Sequence, residues 1–280
     1  MKKLLITSLI LFVSGVIICG SVFAVKGKEI LVEEDLVETS YEFDDVISNV
    51  HIEAIKNDVL FEVSRDGQCR VECLDLEGME HEVTVTGDTL TITSEGDIED
   101  LFDITRINVF HSSPRITVYL PEAEYESLVI DAANSDVVLD QDIIFSDVDI
   151  NLDDGDVNIS NYHSDGDISV DVDAGDLQVV NTTCRNLTYN GDTGDVTLNN
   201  SIISEQLNIS ILFGDVTFDG SDAFSIIVEI DSGDIEGTLL TAKTFDCSVQ
   251  TGDVEIPGNG NGGNCQLHIG AGDIEIDIED

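Results

Sequence analysis

A Gly-Asp step returns every 19 or 20 residues through the second half of the chain. Its aspartates are Asp136, Asp156, Asp176, Asp195, Asp215, Asp234, Asp253 and Asp273, separated by 20, 20, 19, 20, 19, 19 and 20 residues. Each follows a glycine except Asp136, which follows Ser135. A fixed period of this size marks a solenoid, in which each repeat is one coil that buries its apolar face only by stacking on its neighbours.

The repeat extends to the side chains. Seven residues before the glycine stand Leu128, Val148, Ile168, Leu187, Leu207, Ile226, Phe245 and Cys265; five before it stand Ile130, Ile150, Val170, Tyr189, Ile209, Val228, Cys247 and Leu267. Two after it come Val137, Val157, Leu177, Val196, Val216, Ile235, Val254 and Ile274. Gaps of two are the β period, and the residues between, such as Asp149, Asn151, Asp171 and Asn208, are polar. Each coil is therefore expected to be a strand, a sharp Gly-Asp corner, a second strand and a looser return. Glycine supplies unusual backbone angles at the corner, and aspartate can bond the backbone there.

The predicted fold is an all-β parallel β-solenoid (β-helix) of about eight or nine coils. With Asn57 in the glycine position, Val50, Ile52, Ala54, Val59 and Phe61 occupy the same columns and supply the ninth coil. Between it and Leu128 the register breaks. His81–Val85 and Thr89–Ile92 around Gly87-Asp88 predict a hairpin, and Ile116–Leu120 a further strand. Together they are expected to form a small N-terminal β-sheet cap packed on the first coil. At the other end Ile274, Ile276 and Ile278 predict a final, uncovered strand. Glu275, Asp277, Glu279 and Asp280 would guard that edge by repulsion and keep the ectodomain monomeric. Asn259–Gly263 predicts a flexible return loop.

The amino terminus carries Lys2 and Lys3 before an uncharged run of 22 residues, Leu4–Val25, long enough to cross a bilayer as one helix. Val22-Phe23-Ala24 also fits a signal-peptidase site, so a cleaved signal peptide and an uncleaved membrane anchor are both open; the length favours the anchor. In either case the lysines place the rest of the chain outside the cytoplasm, in a bacterial cell envelope, with secretion after cleavage as the alternative. The expected organisation is 1–25 anchor or signal peptide, 26–40 linker, 41–127 first coil with capping hairpin and sheet, and 128–280 repeat solenoid.

Eleven basic residues stand against 58 acidic ones, a formal charge of −47. Repulsion excludes nucleic acid and anionic lipid as partners. The acidity serves either solubility or an adaptation to salt and divalent ions. Six cysteines show no zinc-type spacing; Cys247 and Cys265 fall on different columns, and Cys69 and Cys73 share one strand face. Cys19 lies in the apolar N-terminal run; Cys247 and Cys265 are expected to be small core residues, and a structural role is expected for the thiols generally. His51, His81, His111 and His268 are dispersed, without ligand spacing.

The chemistry most worth weighing lies at the corners. Asp153 with Asp156, Asp173 with Asp176, Asp192 with Asp195, and Asp231 with Asp234 share the pattern Asp-x-Gly-Asp. Stacked carboxylates about 4.8 Å apart repel. Backbone N–H donors, protonation or Ca²⁺ held between coils would relieve that, and hydrogen-bonded corners are favoured. These eight aspartates are the candidate Ca²⁺ ligands, and no other cofactor is expected. Carbohydrate-cleaving β-helices need acids beside histidine and bases. Only Asp153-Asp154 with His163 qualifies, and only Arg185 and Lys243 are basic between 131 and 280. A non-enzymatic protein is expected.

The corners "DDGDVNI", "DTGDVTL", "DSGDIEG" and "QTGDVEI", after "SSPRITVYLPEAEYESLVI", resemble the β-strand-repeat "putative adhesin" family of unknown function over roughly residues 40–280. Its members are frequent in Firmicutes, often behind a single N-terminal membrane segment. The resemblance implies a membrane-tethered adhesion or scaffold protein meeting surface polymers or envelope proteins. The alternative is an accessory or sensor of envelope stress that acts through a membrane partner. It carries over no catalytic residues.

Overall fold

Columns of Val, Ile and Leu spaced by two form strands because branched side chains fit a pleated surface buried on one side. The computed structural model describes residues 36–75, 78–95, 114–140 and 143–279, and among these it contains 22 strands and no helix. The N-terminal part comprises β1 (Val37–Phe43), β2 (Asn49–Ala54), β3 (Asp58–Val63), β4 (Cys69–Asp75), β5 (Glu80–Thr86), β6 (Thr89–Glu95) and β7 (Arg115–Leu120). The repeats follow as β8 (Glu124–Asn134), β9 (Val137–Asp140), β10 (Ile144–Asp154), β11 (Val157–Ser160), β12 (Asp167–Ala174), β13 (Leu177–Val180), β14 (Thr183–Thr193) and β15 (Val196–Asn199). The last are β16 (Ile202–Phe213), β17 (Val216–Ser232), β18 (Ile235–Leu239), β19 (Thr244–Thr251), β20 (Val254–Glu255), β21 (Asn264–Ala271) and β22 (Ile274–Ile278).

Each coil lays its longer strand on one face and, past the corner, its shorter strand on the other. The columns stack in parallel register: Ile150 pairs with Ile130 and Val170 on the long-strand face, and Ile159 with Leu139 and Val179 on the short-strand face. Strand β17 runs through both faces. The inward residues of the two faces meet in one continuous core that includes Ile130, Ile150, Val170, Ile209 and Val228, all fully buried. Burying one such side chain stabilises the fold by about 1.5–3 kcal/mol. Tyr189 takes its place in that column because Gly191 leaves room; a Cβ there would lie 2.7 Å from the phenol oxygen.

The corner glycines have φ between 141° and 153° from Gly155 to Gly272, in the region that disfavours side chains. Stacking imposes a second demand. A Cβ on Gly175 would lie 2.0 Å from the carbonyl oxygen of Gly155 in the coil below, and one on Gly272 1.8 Å from that of Gly233.

The return is not loose, as the sequence suggested, but a second tight corner. Asn161, Asn181 and Asn200 are left-handed at φ 52°, 48° and 47°, and Gly220 continues the column at 61°. Asparagine tolerates this conformation better than most residues. Behind them Thr182, Ser201 and Ser221 turn inward, and the N–H groups of Thr182 and Ser201 donate to the hydroxyls of Ser201 and Ser221 at 3.1 and 3.0 Å. The buried turn thereby satisfies its own backbone.

The cap also differs from expectation. Its strands do not pack as a separate sheet but extend the two faces edgewise. β6 pairs in parallel with β2, Leu90 beside Val50, and β7 with β3, Ile116 beside Val59. Antiparallel β5 then covers β6, while β4 and β1 cover β7. The hairpin around Gly87-Asp88 is as expected.

The largest departure is at the other end. β17 pairs with β21, and β21 in turn with β19, so the last coil of the chain is inserted beneath the one before it. β22 consequently lies between β18 and β20, with Ile274 and Ile276 each 1% exposed. The uncovered edge is β19, whose Phe245, Cys247 and Val249 are half-buried, and not the C-terminal strand. The loop that allows this is packed, not flexible. Gly260 and Gly262 donate their N–H groups to the carbonyls of Lys243 and Ala242 at 2.7 and 2.9 Å, and a Cβ on Gly263 would lie 1.9 Å from the Phe224 oxygen. Buried Lys243 closes the crossing. Its Nζ donates to the carbonyls of Ala223 and Gly262 at 2.6 and 2.7 Å and pairs with Asp222.

Candidate functional site

Three polar constellations stand out on this frame, and the first is the corner column. The N–H of Asp136 donates to Oδ1 of Asp58 at 3.2 Å, and that of Asp156 to Asp136 at 2.9 Å. The ladder continues through Asp176, Asp195, Asp215 and Asp234 at 2.8 to 2.9 Å. Asp273 then donates to Asp234, and Asp253 to Asp273, both at 2.7 Å. Charge-assisted hydrogen bonds of this kind offset the repulsion of stacked carboxylates. Of the candidate calcium ligands, Asp156, Asp176, Asp195 and Asp234 are rungs of this ladder. Asp153, Asp173, Asp192 and Asp231 sit two residues before the glycines, exposed on the outer surface.

The second constellation is a trough on the outer side of the long-strand face, enclosing about 670 Å³ across five coils from Ser127 to Asn208. Arg185 is the one basic residue among those that line it. Its Nε and Nη2 donate to Oδ1 and Oδ2 of Asp167, each at 2.8 Å, and Asn186 Nδ2 donates to the same carboxylate at 2.8 Å. These hydrogen bonds, the arginine's foremost, hold the Asp167 carboxyl below the usual carboxylate range. Beside Arg185, β16 carries one residue more than either neighbour, a bulge at Ser204-Glu205. Bulges re-aim side chains, and this one brings Glu205 and Gln206 to the trough wall. Asp153-Asp154 and His163 do not meet. The aspartates end β10, whereas His163 pairs with Thr183 at the opposite end of the coil.

The third constellation was not legible in the residue spacing. Cys73 and Asp75 alternate inward along β4, and the chain then crosses to the other face and returns His81 to them on β5. The His81 and Asp75 side chains are 1% and 5% exposed, with Nε2 2.7 Å from Oδ1. Asn57 Nδ2 donates to the same Oδ1 at 2.9 Å. Ser94 Oγ lies 3.2 Å from His81 Nδ1, and the Tyr41 hydroxyl donates to the His81 carbonyl at 3.0 Å. The ligand atoms of Cys73, Asp75 and His81 all lie within 4.8 Å of one another. Burial first, and the Asp75 charge second, push the Cys73 thiol up to about 12. Cys69, Cys73, Cys184, Cys247 and Cys265 are all free thiols, and Cys247 faces Leu267 instead of Cys265.

Stacked two-faced coils with glycine corners define a repeat-built all-β solenoid. The chain belongs to the Toastrack DUF4097 family, whose model matches residues 47–211 and 160–280. A solved structure titled a "putative adhesin", from Bacteroides fragilis, aligns with a TM-score of 0.55 at 15% identity, covering 88% of this chain and 98% of that one. A second of the same description, from Parabacteroides distasonis, aligns at 0.52 and 16% identity with the same coverage. At these identities the likeness speaks for the fold. No curated protein matches the chain.

Proposed function

We propose that this is a non-enzymatic, membrane-tethered extracytoplasmic protein whose long-strand face binds surface polymers, as an adhesion or scaffold module. The observation that carries this reading is the Arg185–Asp167 trough. A rigid sheet presents Asp, Asn, Gln, Ser and Thr side chains at strand spacing around one oriented guanidinium. Such a surface matches the repeated hydroxyls of a glycan better than it matches an apolar ligand. The adhesin titles of the two solved structures agree with this role.

The tether rests on Lys2, Lys3 and the uncharged run Leu4–Val25, which lie outside the described residues. No helix among the described residues is long and apolar enough to cross a membrane.

Purified protein presented to arrays of envelope glycans and envelope proteins tests the reading. A glycan hit weakened about tenfold or more by Arg185→Ala is expected, the scale of one charge-assisted contact. Binding only to proteins, or glycan binding indifferent to Arg185→Ala, would overturn the trough's role.

A further inference from the structure

We propose that Cys73, Asp75 and His81, with Asn57 beside them, form a buried site for one soft divalent cation of the Zn²⁺ class. The donor set is the first reason. A thiolate, an imidazole and a carboxylate are the ligands Zn²⁺ takes, whereas Ca²⁺ takes oxygen. Geometry is the second. Bonds of about 2.0–2.3 Å in a tetrahedral site place ligand atoms about 3.3–3.5 Å apart. The observed contacts, from 2.7 Å between Nε2 and Oδ1 up to the 4.8 Å bound, bracket that spacing.

Charge is the third reason. One thiolate and one carboxylate balance a dication, so the filled site is neutral where an unbalanced buried charge would be costly. Outer partners are already in place. Ser94 Oγ contacts the Nδ1 of His81, so a cation entering between Nε2 and Asp75 Oδ1 would replace only the proton those two atoms share at 2.7 Å, and Tyr41 holds the His81 backbone. Finally, Asn57 is fully buried and its Oδ1 has no hydrogen-bond partner, although its Nδ2 is bonded to Asp75. A fully buried carboxamide oxygen without a partner, on a side chain already bonded to Asp75, calls for an electropositive group nearby. The site closes the N-terminal end of the stack, directly after β3 begins the aspartate ladder, and it is independent of the trough.

The test uses the full chain, stripped with chelator and dialysed against Zn²⁺ in a large excess of Ca²⁺, which occupies the acidic surface. One equivalent of zinc should be retained. Co²⁺ in its place should show a thiolate-to-cobalt charge-transfer band, which cobalt on surface carboxylates cannot produce. Cys73→Ser should abolish the band, His81→Ala should weaken binding at least about tenfold, and Cys247→Ser should change neither. If the variants misfold by circular dichroism, the wild-type chain decides alone. Zinc displaced completely by Ca²⁺, or bound cobalt without the thiolate band, would show that Asp75 and His81 are only a structural pair and overturn the site.

Discussion

The backbone N–H of Asp273 donates to Oδ1 of Asp234 at 2.7 Å, passing over Asp253, the corner that lies between them in the chain. Asp253 donates instead to Asp273 from the outside. One carboxylate column thus records the spatial order of the coils, and that order differs from the order of the chain.

Glycine at the corners is required twice, by φ and by the coil below, so Gly175→Ala should cost roughly 3 kcal/mol or more. Gly67 also has positive φ, at 77°, but no atom lies within 4 Å of its would-be Cβ. Gly67→Ala should therefore cost only about 1–2 kcal/mol, the conformational penalty alone. Chemical unfolding midpoints of the two variants would show the difference; equal losses would mean that the close stacking does not constrain the corner.

Lys243→Met removes the cation from a buried pair and leaves Asp222 behind. Breaking such a pair costs about 3–5 kcal/mol. The loss should be local, because Lys243 ties the crossing loop through Ala223 and Gly262. Hydrogen exchange should show β19 and β20 opening first while β8 to β15 stay protected. Uniform loss of protection would count against a local tie.

Burial raises the pKa of Asp58 at the start of the ladder, with the Asp136 carboxylate adding to the effect. A raised carboxyl contributes stability that is complete below the unfolded pKa, near 4, and is lost as pH rises through the folded value. At neutral pH the charge is therefore a cost. Asp58→Asn keeps an oxygen for the Asp136 N–H and should raise the melting temperature at pH 7. Its advantage should disappear below about pH 4. Melting curves at the two pH values check the sign.

The corner carboxylates of Asp136, Asp156, Asp176, Asp195, Asp215, Asp234 and Asp273 each already accept an N–H, so Ca²⁺ and Na⁺ at matched ionic strength should raise the melting temperature equally, by screening a charge of −47. A rise particular to Ca²⁺ that vanishes in Asp173→Asn and Asp176→Asn would assign an ion to the Asp-x-Gly-Asp corners.

The period and the inward columns were legible because a strand's two-residue alternation survives at every coil, and Val50 to Phe61 could be placed in register despite the long excursion after them. The coil order was not. Each coil offers the same columns, so Phe245 matches Cys265 as well as Ile226 does, and pattern alone cannot choose between neighbours. What decides is the packed glycine loop and the Lys243–Asp222 pair, both non-local. The second corner does carry a signal in the sequence: Asn161, Asn181 and Asn200 recur six residues after the corner glycine, each before Tyr162, Thr182 or Ser201. Cys73, Asp75 and His81 had none, because their meeting depends on a crossing between faces that sequence spacing does not encode.

The inverted final pair of coils also bears on how the chain can be assembled and enlarged. Delivered from its amino end, residues 244–255 emerge before the strands that must separate them from β17, so they either wait unpaired or dock in a place they must later surrender. Phe245 and Val249, only half-buried even in the finished fold, make that interval the one most open to capture by another chain. A further repeat could not stack directly on the start of β22, since Ile274 and Glu275 are already flanked by β18 and β20. Duplication would succeed among the earlier coils, where chain order and spatial order agree, and the C-terminal pair acts as a clasp that travels with whatever number of coils precedes it.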